Sequence, residues 1–119
     1  TYAVYMDGNH DGVRTKDIQD GIDRRVGWDE RLRDHFTGVE FGAQPGLPAV
    51  DAGSPPPGGD PIRLGASNMA SFSSMGTSSS GSVFIRSRRN AQYVVRIFGT
   101  TATVRVLKFD QRTGQWTPL

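Results

Sequence analysis

The 119-residue sequence contains no cysteine, two histidines and no long apolar run. The lack of cysteine excludes disulfides, thiolate metal sites and cysteine nucleophiles together. His10 and His35 lie far apart, and no serine stands in a Gly-x-Ser-x-Gly elbow, so a zinc enzyme and a hydrolase triad have little basis. No run reaches the roughly 18 apolar residues that span a bilayer. We therefore expect a soluble domain that works by assembly or binding and not as an enzyme.

Glycine and proline are frequent, at 15 and 7 residues, whereas hydrophobic residues make up only 35% of the chain. Many turns around a modest core are typical of small β folds. A chain of this length has room for one domain. The composition therefore predicts a single, mainly β domain over residues 1–119.

Charge is distributed unevenly along the chain. Residues 1–60 carry 6 basic and 11 acidic side chains, a net charge of −5, whereas residues 61–119 carry 8 basic residues and one acidic residue, Asp110, a net charge of +7. The two halves could neutralise each other across the fold. Alternatively, they could form the poles of a subunit that stacks head to tail, or a basic face for an anionic polymer.

Apolar alternation predicts strands at both ends of the chain. One strand covers residues 2–6, and a short alternation follows at 39–41. The clearest pattern, at residues 83–85, 93–98 and 104–109, predicts an antiparallel three-stranded meander against which Trp116 packs. Because the first strand opens the chain, we expect that an upstream segment has been removed or is supplied by another polypeptide.

The segments between the strands are predicted to be short or irregular. Residues 15–20 predict one helical turn capped by Thr15 and ended by Gly21. Residues 42–60, rich in proline and glycine, predict an exposed and partly extended loop. Phe72 and Met75 are large apolar side chains in a Ser-rich segment at 66–81, and we expect them to anchor that loop to the core.

The acidic turn after the first strand matches the first half of an oxygen-rich calcium loop, D-x-[DN]-x-[DN]-G, whose seventh residue offers its carbonyl. The twelfth position, where an EF-hand has its closing glutamate, is Ile18; Asp17 comes one place early, and Asp20 or Asp23 follow slightly later. An Asx-rich turn without metal explains the same residues. No cofactor is required, and the candidate calcium ligands are Asp7, Asn9, Asp11, Val13 and Asp17.

Basic residues crowd the last three predicted strands. If they share one face, they could bind phosphates of DNA with a marked salt dependence. Otherwise they form a solvated polar face or contact the acidic half of a neighbouring subunit. The candidate anion-binding residues are Arg86, Arg88, Arg89, Arg96, Arg105 and Lys108, with Arg112 nearby.

In the N-terminal part of the chain, residues 2–18, 21–23 and 36–42 together match the pattern of one known family. They resemble the head of the GspH/FimT-type pseudopilins. The serine-rich segment at 72–83 is similar to the family's F-x-P-x-G-x-x-x-x-G entry to its final sheet. Residues 94–106 resemble the segment that normally ends in Gly-Arg-Val-Arg-Val, except that Ala102 and Thr103 replace the first Gly-Arg.

The resemblance implies an antiparallel two-sheet, pilin-type head normally carried on a long apolar N-terminal helix. That helix would be either trimmed away or a separate chain, and it alone would contact the membrane. The implied function is filament assembly with other pilin or pseudopilin subunits, in type II secretion or a type IV pilus, outside the inner membrane, in the periplasm or on the cell surface. A DNA-binding minor pilin is the first alternative, although the replaced Gly-Arg weakens it. A calcium-stabilised adhesin-like module is the second.

Overall fold

The structure, a computed structural model, describes residues 1–51, 56–65 and 67–119. It is mainly β with antiparallel pairing, as the composition and alternation predict. Residues 52–55 and 66, which belong to the predicted Pro/Gly-rich and Ser-rich loops, lie outside the described residues. The elements are β1 (Tyr2–Met6), α1 (Thr15–Gln19), β2 (Arg24–Glu30), α2 (Leu32–His35), β3 (Glu40–Phe41), β4 (Ile62–Arg63), β5 (Gly81–Arg86), β6 (Gln92–Phe98), β7 (Thr103–Asp110) and β8 (Gln115–Pro118).

A small sheet consists of β1 and β2, which pair antiparallel with Val4 opposite Val26. The prediction of β1 is confirmed, whereas β2 was not predicted. The sequence of β2 mixes charged residues with Gly27, and the strand is exposed along nearly all its length. Strand β2 is therefore recognisable by its main-chain pairing with β1, since its own sequence shows no apolar–polar alternation.

The large sheet has six strands in the order β3, β5, β6, β7 and β8, with β4 pairing on the same edge of β5 as β3. Its centre, β5–β6–β7, is the predicted meander, with continuous antiparallel registers. The connecting turns contain Asn90 and Ala102, both with positive φ, at 58° and 51°. Such left-handed residues reverse the chain tightly between neighbouring strands.

Side chains alternate between the two faces of this sheet, and the unbroken register shows which residues share a face. One face, here called the covered face, includes Phe84, Val94 and Leu107. The opposite face is here called the open face. Its apolar members are Phe41, Ile62, Val83, Ile85, Tyr93, Val95, Ile97, Val104 and Val106, and Lys108 lies at its margin.

The core lies on the covered face, where Leu47 packs with Phe84 and Val94. Leu47 is only 5% exposed. The prediction that residues 42–60 form an exposed loop is therefore wrong for the first part of that loop. The segment at 43–51 has no strand or helix. Its apolar side chains nevertheless cover the sheet, because packing against the apolar covered face removes them from water.

Two side chains fasten this segment to the sheet. Gln92 is buried; its Nε2 donates to the carbonyl of Gly42 at 3.0 Å, and its Oε1 accepts from the amide of Gln44 at 3.0 Å. Trp116 on β8 donates from Nε1 to the carbonyl of Pro48 at 3.2 Å. The predicted packing of Trp116 is confirmed, with ring centroids 5.9 Å from Phe84.

The Ser-rich segment does not use Phe72 and Met75 as anchors. Phe72 is 57% and Met75 90% exposed, so the expectation that they tie the loop to the core is wrong. The segment instead folds on itself: the amide of Ser73 donates to the carbonyl of Thr77 at 2.8 Å. Its link to the sheet is polar, from the amide of Ser78 to the carbonyl of Gly99 at 2.9 Å.

The helices are short. Helix α1 is the predicted turn, but Arg14 is its N-cap residue and no side chain caps it, so the assignment of Thr15 as cap is wrong. The amide of Ile18 donates to the carbonyl of Arg14 at 2.9 Å, so helical hydrogen bonding starts one residue before the predicted cap. Neither helix of the described chain has the length and apolar character needed to cross a bilayer.

Candidate functional site

The acidic loop between β1 and α1 is closed by a buried carboxylate. Asp23 Oδ1 accepts the amide of Gly8 and Asp23 Oδ2 accepts the amide of Arg14, both at 2.9 Å. One side chain thus holds both ends of the loop, and each oxygen has a backbone donor. Asp23, considered above as a cation ligand beyond the motif, has this bracing role in the structure.

Asp7 opens the loop and turns toward its interior. Asp7 Oδ2 accepts the amide of Gly12 at 2.8 Å. Asp7 Oδ1 is buried and has no hydrogen-bond partner among the described residues. Gly12 has φ 91° and His10 φ 62°, two left-handed positions that fold the chain back toward Asp7.

The remaining acidic side chains of the loop meet at Asp17. Asn9 Nδ2 donates to Asp17 Oδ2 at 3.3 Å, and Asp17 itself is buried. Partial desolvation and the neighbouring carboxylate of Asp17 raise the pKa of Asp11. The one cation beside Asp11 is Arg14, at 3.8 Å and with a largely exposed side chain, so negative charge in the loop is poorly compensated.

The structure brings four of the five predicted calcium ligands into one neighbourhood: Asp7, Asn9, Asp11 and Asp17. Val13, whose predicted role belongs to its main-chain carbonyl, lies between Asp11 and Asp17 in the chain. Nowhere in the described residues do three or more Asp, Glu, His or Cys side chains already converge as a metal site. The candidate residues are therefore close together, but their side-chain oxygens do not meet at one point as metal ligands do.

The predicted basic cluster is divided by the sheet. Arg86, Arg96 and Arg105 belong to the covered side, and Lys108 belongs to the open side, since it lies opposite Tyr93. Arg88 and Arg89 lie in the turn between β5 and β6. The six candidate residues therefore do not share one face.

Two of the covered-side arginines already have partners within the chain. Arg96 forms an ion pair with Asp51 and donates to the carbonyl of Gly81 at 2.9 Å. Its guanidinium lies over the ring of Phe98, 4.8 Å from the centroid, and that of Arg105 lies 5.8 Å from the same ring. These contacts involve both arginines in local packing, and the ion pair with Asp51 compensates the charge of Arg96.

The two charged halves of the sequence are joined by Arg96 and Asp51, the one ion pair between them in the described chain. The other ion pairs lie within the acidic half, for example Arg25 with Asp29 at 3.0 Å. Neutralisation across the fold is thus limited to one contact, which leaves the charge asymmetry largely intact.

The clefts are shallow and contain no catalytic arrangement among the residues described. One of about 570 Å³ has Arg33, Arg86 and Glu40 in its wall, which mixes both charges. Another, of about 240 Å³, includes Pro57 from the Pro/Gly-rich loop but no residue of the acidic loop. His35 Nε2 lies 2.7 Å from Glu30 Oε2, and both side chains are about half exposed.

The most extensive unpartnered surface is the open face, which the sequence analysis did not predict as a site. Val104 and Val106 are 49% and 39% exposed, and most other members are half-buried; Ile97 alone is buried. Apolar residues occupy successive positions at 83–85 and 93–95, so both sides of the meander carry apolar side chains. This pattern was the available signal that both faces need a cover.

The small sheet lies beside the open face. The ring of Tyr2 on β1 meets that of Phe41 on β3 edge-on, with centroids 6.3 Å apart. Exposed apolar side chains continue across the small sheet at Val4, Met6 and Val26. The apolar surface therefore extends beyond the six-stranded sheet.

Searches against protein-family models, curated proteins and solved structures found no match for this chain. The GspH/FimT-type resemblance stays a prediction.

Proposed function

We propose that this chain is the globular head of a GspH/FimT-type filament subunit, located outside the inner membrane, and that it acts by assembly without catalysis. The observation that carries the proposal is the open face: a broad apolar sheet surface on which Val104 and Val106 are exposed and most other residues are only half-buried within the described chain. Soluble domains seldom leave such patches exposed unless they mark a contact. The proposed occupant is the apolar helix of a pilin-type subunit.

The dimensions of the open face suit a helix. Ile62, Val83, Val95 and Val106 lie directly opposite one another on four neighbouring strands. Strands are spaced by about 4.8 Å, so this row is about 14 Å across. An α-helix with its side chains is about 10–12 Å wide. A row of small branched side chains of this width is wide enough for one α-helix to pack against it.

The chemistry of the open face favours an apolar occupant over a polyanion. The second row runs from Phe41 through Ile85 and Tyr93 to Lys108, and Lys108 is the single charge in the two rows. The ammonium of Lys108 lies 5.8 Å from the centre of the Tyr93 ring, at the margin of the apolar area. Phosphate binding needs several cations close together, which this face does not have.

One backbone detail supports the resemblance on which the proposal depends. The family pattern has glycine where this chain has Ala102, and Ala102 adopts φ 51°. That region costs residues with a Cβ roughly 1–2 kcal/mol but is readily adopted by glycine. The position thus has the conformation that the family's glycine would favour.

The DNA-binding and adhesin-like alternatives have less support in the geometry. Arg96 and Arg105 are engaged within the chain, and Lys108 points to the other side of the sheet. The cleft that includes Pro57 contains no residue of the acidic loop, so the concave site that would favour an adhesin is not formed there.

The test is in-cell photo-crosslinking in the native host, with a photoreactive amino acid at position 106 of the complete subunit. Position 105 is the matched control, because it is the neighbouring exposed residue of β7 on the opposite side of the sheet. We expect adducts from position 106 with an apolar pilin-type helix, in the same or a neighbouring subunit, identified by peptide mass mapping. Adducts from 105 but not 106, or none from 106, would contradict the proposal.

A further inference from the structure

The acidic loop contains a carboxylate oxygen whose partner is missing. Gly12 donates to Asp7 Oδ2 at 2.8 Å and fixes the orientation of the carboxylate. Asp7 Oδ1 is buried, with no hydrogen-bond partner in the described chain. Leaving a buried charged oxygen without a partner is costly. A cation would satisfy it.

A second feature points to the same ligand. Asp17 is more than nine-tenths buried, yet its described contacts are with the amide of Asn9 and with another acid, Asp11. Two carboxylates in contact repel each other unless a proton or a cation lies between them. No lysine or arginine forms an ion pair with Asp7 or Asp17 among the residues described.

The backbone arranges these groups as a cation loop does. The positive φ angles of His10 and Gly12 fold the loop so that Asn9 and Asp11 lie beside Asp17, and Asp7 lies near Asp11. Asp23 braces both ends of the loop from outside and keeps its two oxygens on backbone amides. Asp23 is therefore excluded as a ligand, and Asp17 is the closing acid.

We propose that residues 7–17 bind one calcium ion. Its ligands are Asp7 Oδ1, the side-chain oxygen of Asn9, the carboxylates of Asp11 and Asp17, and the main-chain carbonyl of Val13. All the donors are oxygens, and three carry charge, which suits Ca²⁺ better than transition metals. Binding draws the three carboxylates together, and the Asn9 amide rotates to present its oxygen in place of the NH₂ that now contacts Asp17.

The first experiment is calorimetric titration of the metal-depleted chain with CaCl₂, together with thermal unfolding. We expect one site, with a Kd of about 10⁻⁵–10⁻³ M, and a higher Tm in Ca²⁺. Mg²⁺ at the same concentration should raise Tm much less, since it demands a tighter octahedral site. No heat and no change in Tm in about 10 mM Ca²⁺, well above this Kd range, would overturn the proposal.

Matched variants separate a built site from diffuse attraction. Asp7→Asn and Asp17→Asn should each weaken calcium binding at least tenfold. Asp20→Asn removes the same charge from an exposed residue just after α1 and should leave the affinity unchanged. Equal losses in Asp20→Asn and Asp7→Asn would mean that Ca²⁺ responds only to net charge, against the proposal.

Asn9→Ala removes a proposed ligand with little risk to folding, because Asn9 is exposed and uncharged. It should lower the affinity several-fold while the circular dichroism spectrum stays unchanged. Tb³⁺ luminescence, excited through the aromatic side chains of the unmodified chain, should rise on binding and fall as Ca²⁺ displaces Tb³⁺. Luminescence that Ca²⁺ does not displace would count against a shared site.

Discussion

The two faces of the six-stranded sheet are built from the same strands, and both carry apolar side chains near the centre, yet they differ in what covers them. Val94 and Val95 are neighbours on β6; Val94 is 0% exposed, whereas Val95 is half-buried. The difference comes from the irregular segment at 43–51, which places Leu47 against one side only. Alternation thus makes both faces apolar, and a distant loop decides which becomes the core.

The largest expected effect is at the centre of the covered face. Phe84→Ala should lower the free energy of unfolding by about 3–5 kcal/mol, because it leaves a cavity beneath Leu47 and Trp116. Phe72→Ala makes the same chemical change on the exposed Ser-rich segment and should cost less than about 1 kcal/mol. Urea titration followed by circular dichroism measures both. Similar losses at the two positions would mean that Phe72 is buried in solution.

A matched pair on one strand tests the comparison most directly. Val94→Ala should cost about 2 kcal/mol, since two methyl groups leave a fully buried site. Val95→Ala should cost about half of that or less, because part of its surface is already in water. If the two losses in urea titration are equal, the open face is covered in the isolated chain, and its role as a free docking surface is excluded.

The smallest expected effect concerns the bond between β8 and the covering segment. Trp116→Phe removes the hydrogen bond to the carbonyl of Pro48 and should cost about 1 kcal/mol plus some packing. Trp28→Phe, at a residue 78% exposed, should be nearly neutral and serves as the control. Acrylamide quenching of the single remaining tryptophan in each variant should be stronger for Trp28. Equal quenching would contradict the covered position of Trp116.

The central fold could be predicted because its signals are local. Residues 83–109 alternate strongly and are separated by short turns, so β5, β6 and β7 follow from strand periodicity and turn chemistry. Strand β2 could not be found in this way, because its exposed and partly charged residues become a strand only by pairing with β1. The prediction that Phe72 and Met75 anchor their loop was wrong for a related reason. Their hydrophobicity does not reveal that hydrogen bonds between Ser73 and Thr77 close the loop.

The candidate sites also differ in how far the sequence predicts them. The spacing of Asp7, Asn9 and Asp11 and the glycine at position 12 belong to one short loop, so sequence reasoning placed these residues together. The basic residues depend on alternation along the strand, which puts Arg105 and Lys108 on opposite sides of β7 because an odd number of positions separates them. Counting charge along the chain ignores this alternation.

Local chemistry in the chain is sufficient to specify the meander, the turn at α1 and the oxygen-rich loop, since each depends on residues within a few positions of one another. The tertiary structure alone decides that residues 43–51 cover one side of the sheet, that Gln92 and Trp116 fasten them, and that the opposite side stays open. The physical reason is that hydrophobic burial is non-directional: it rewards any apolar partner, and only the path of the chain in three dimensions determines which surface is within reach.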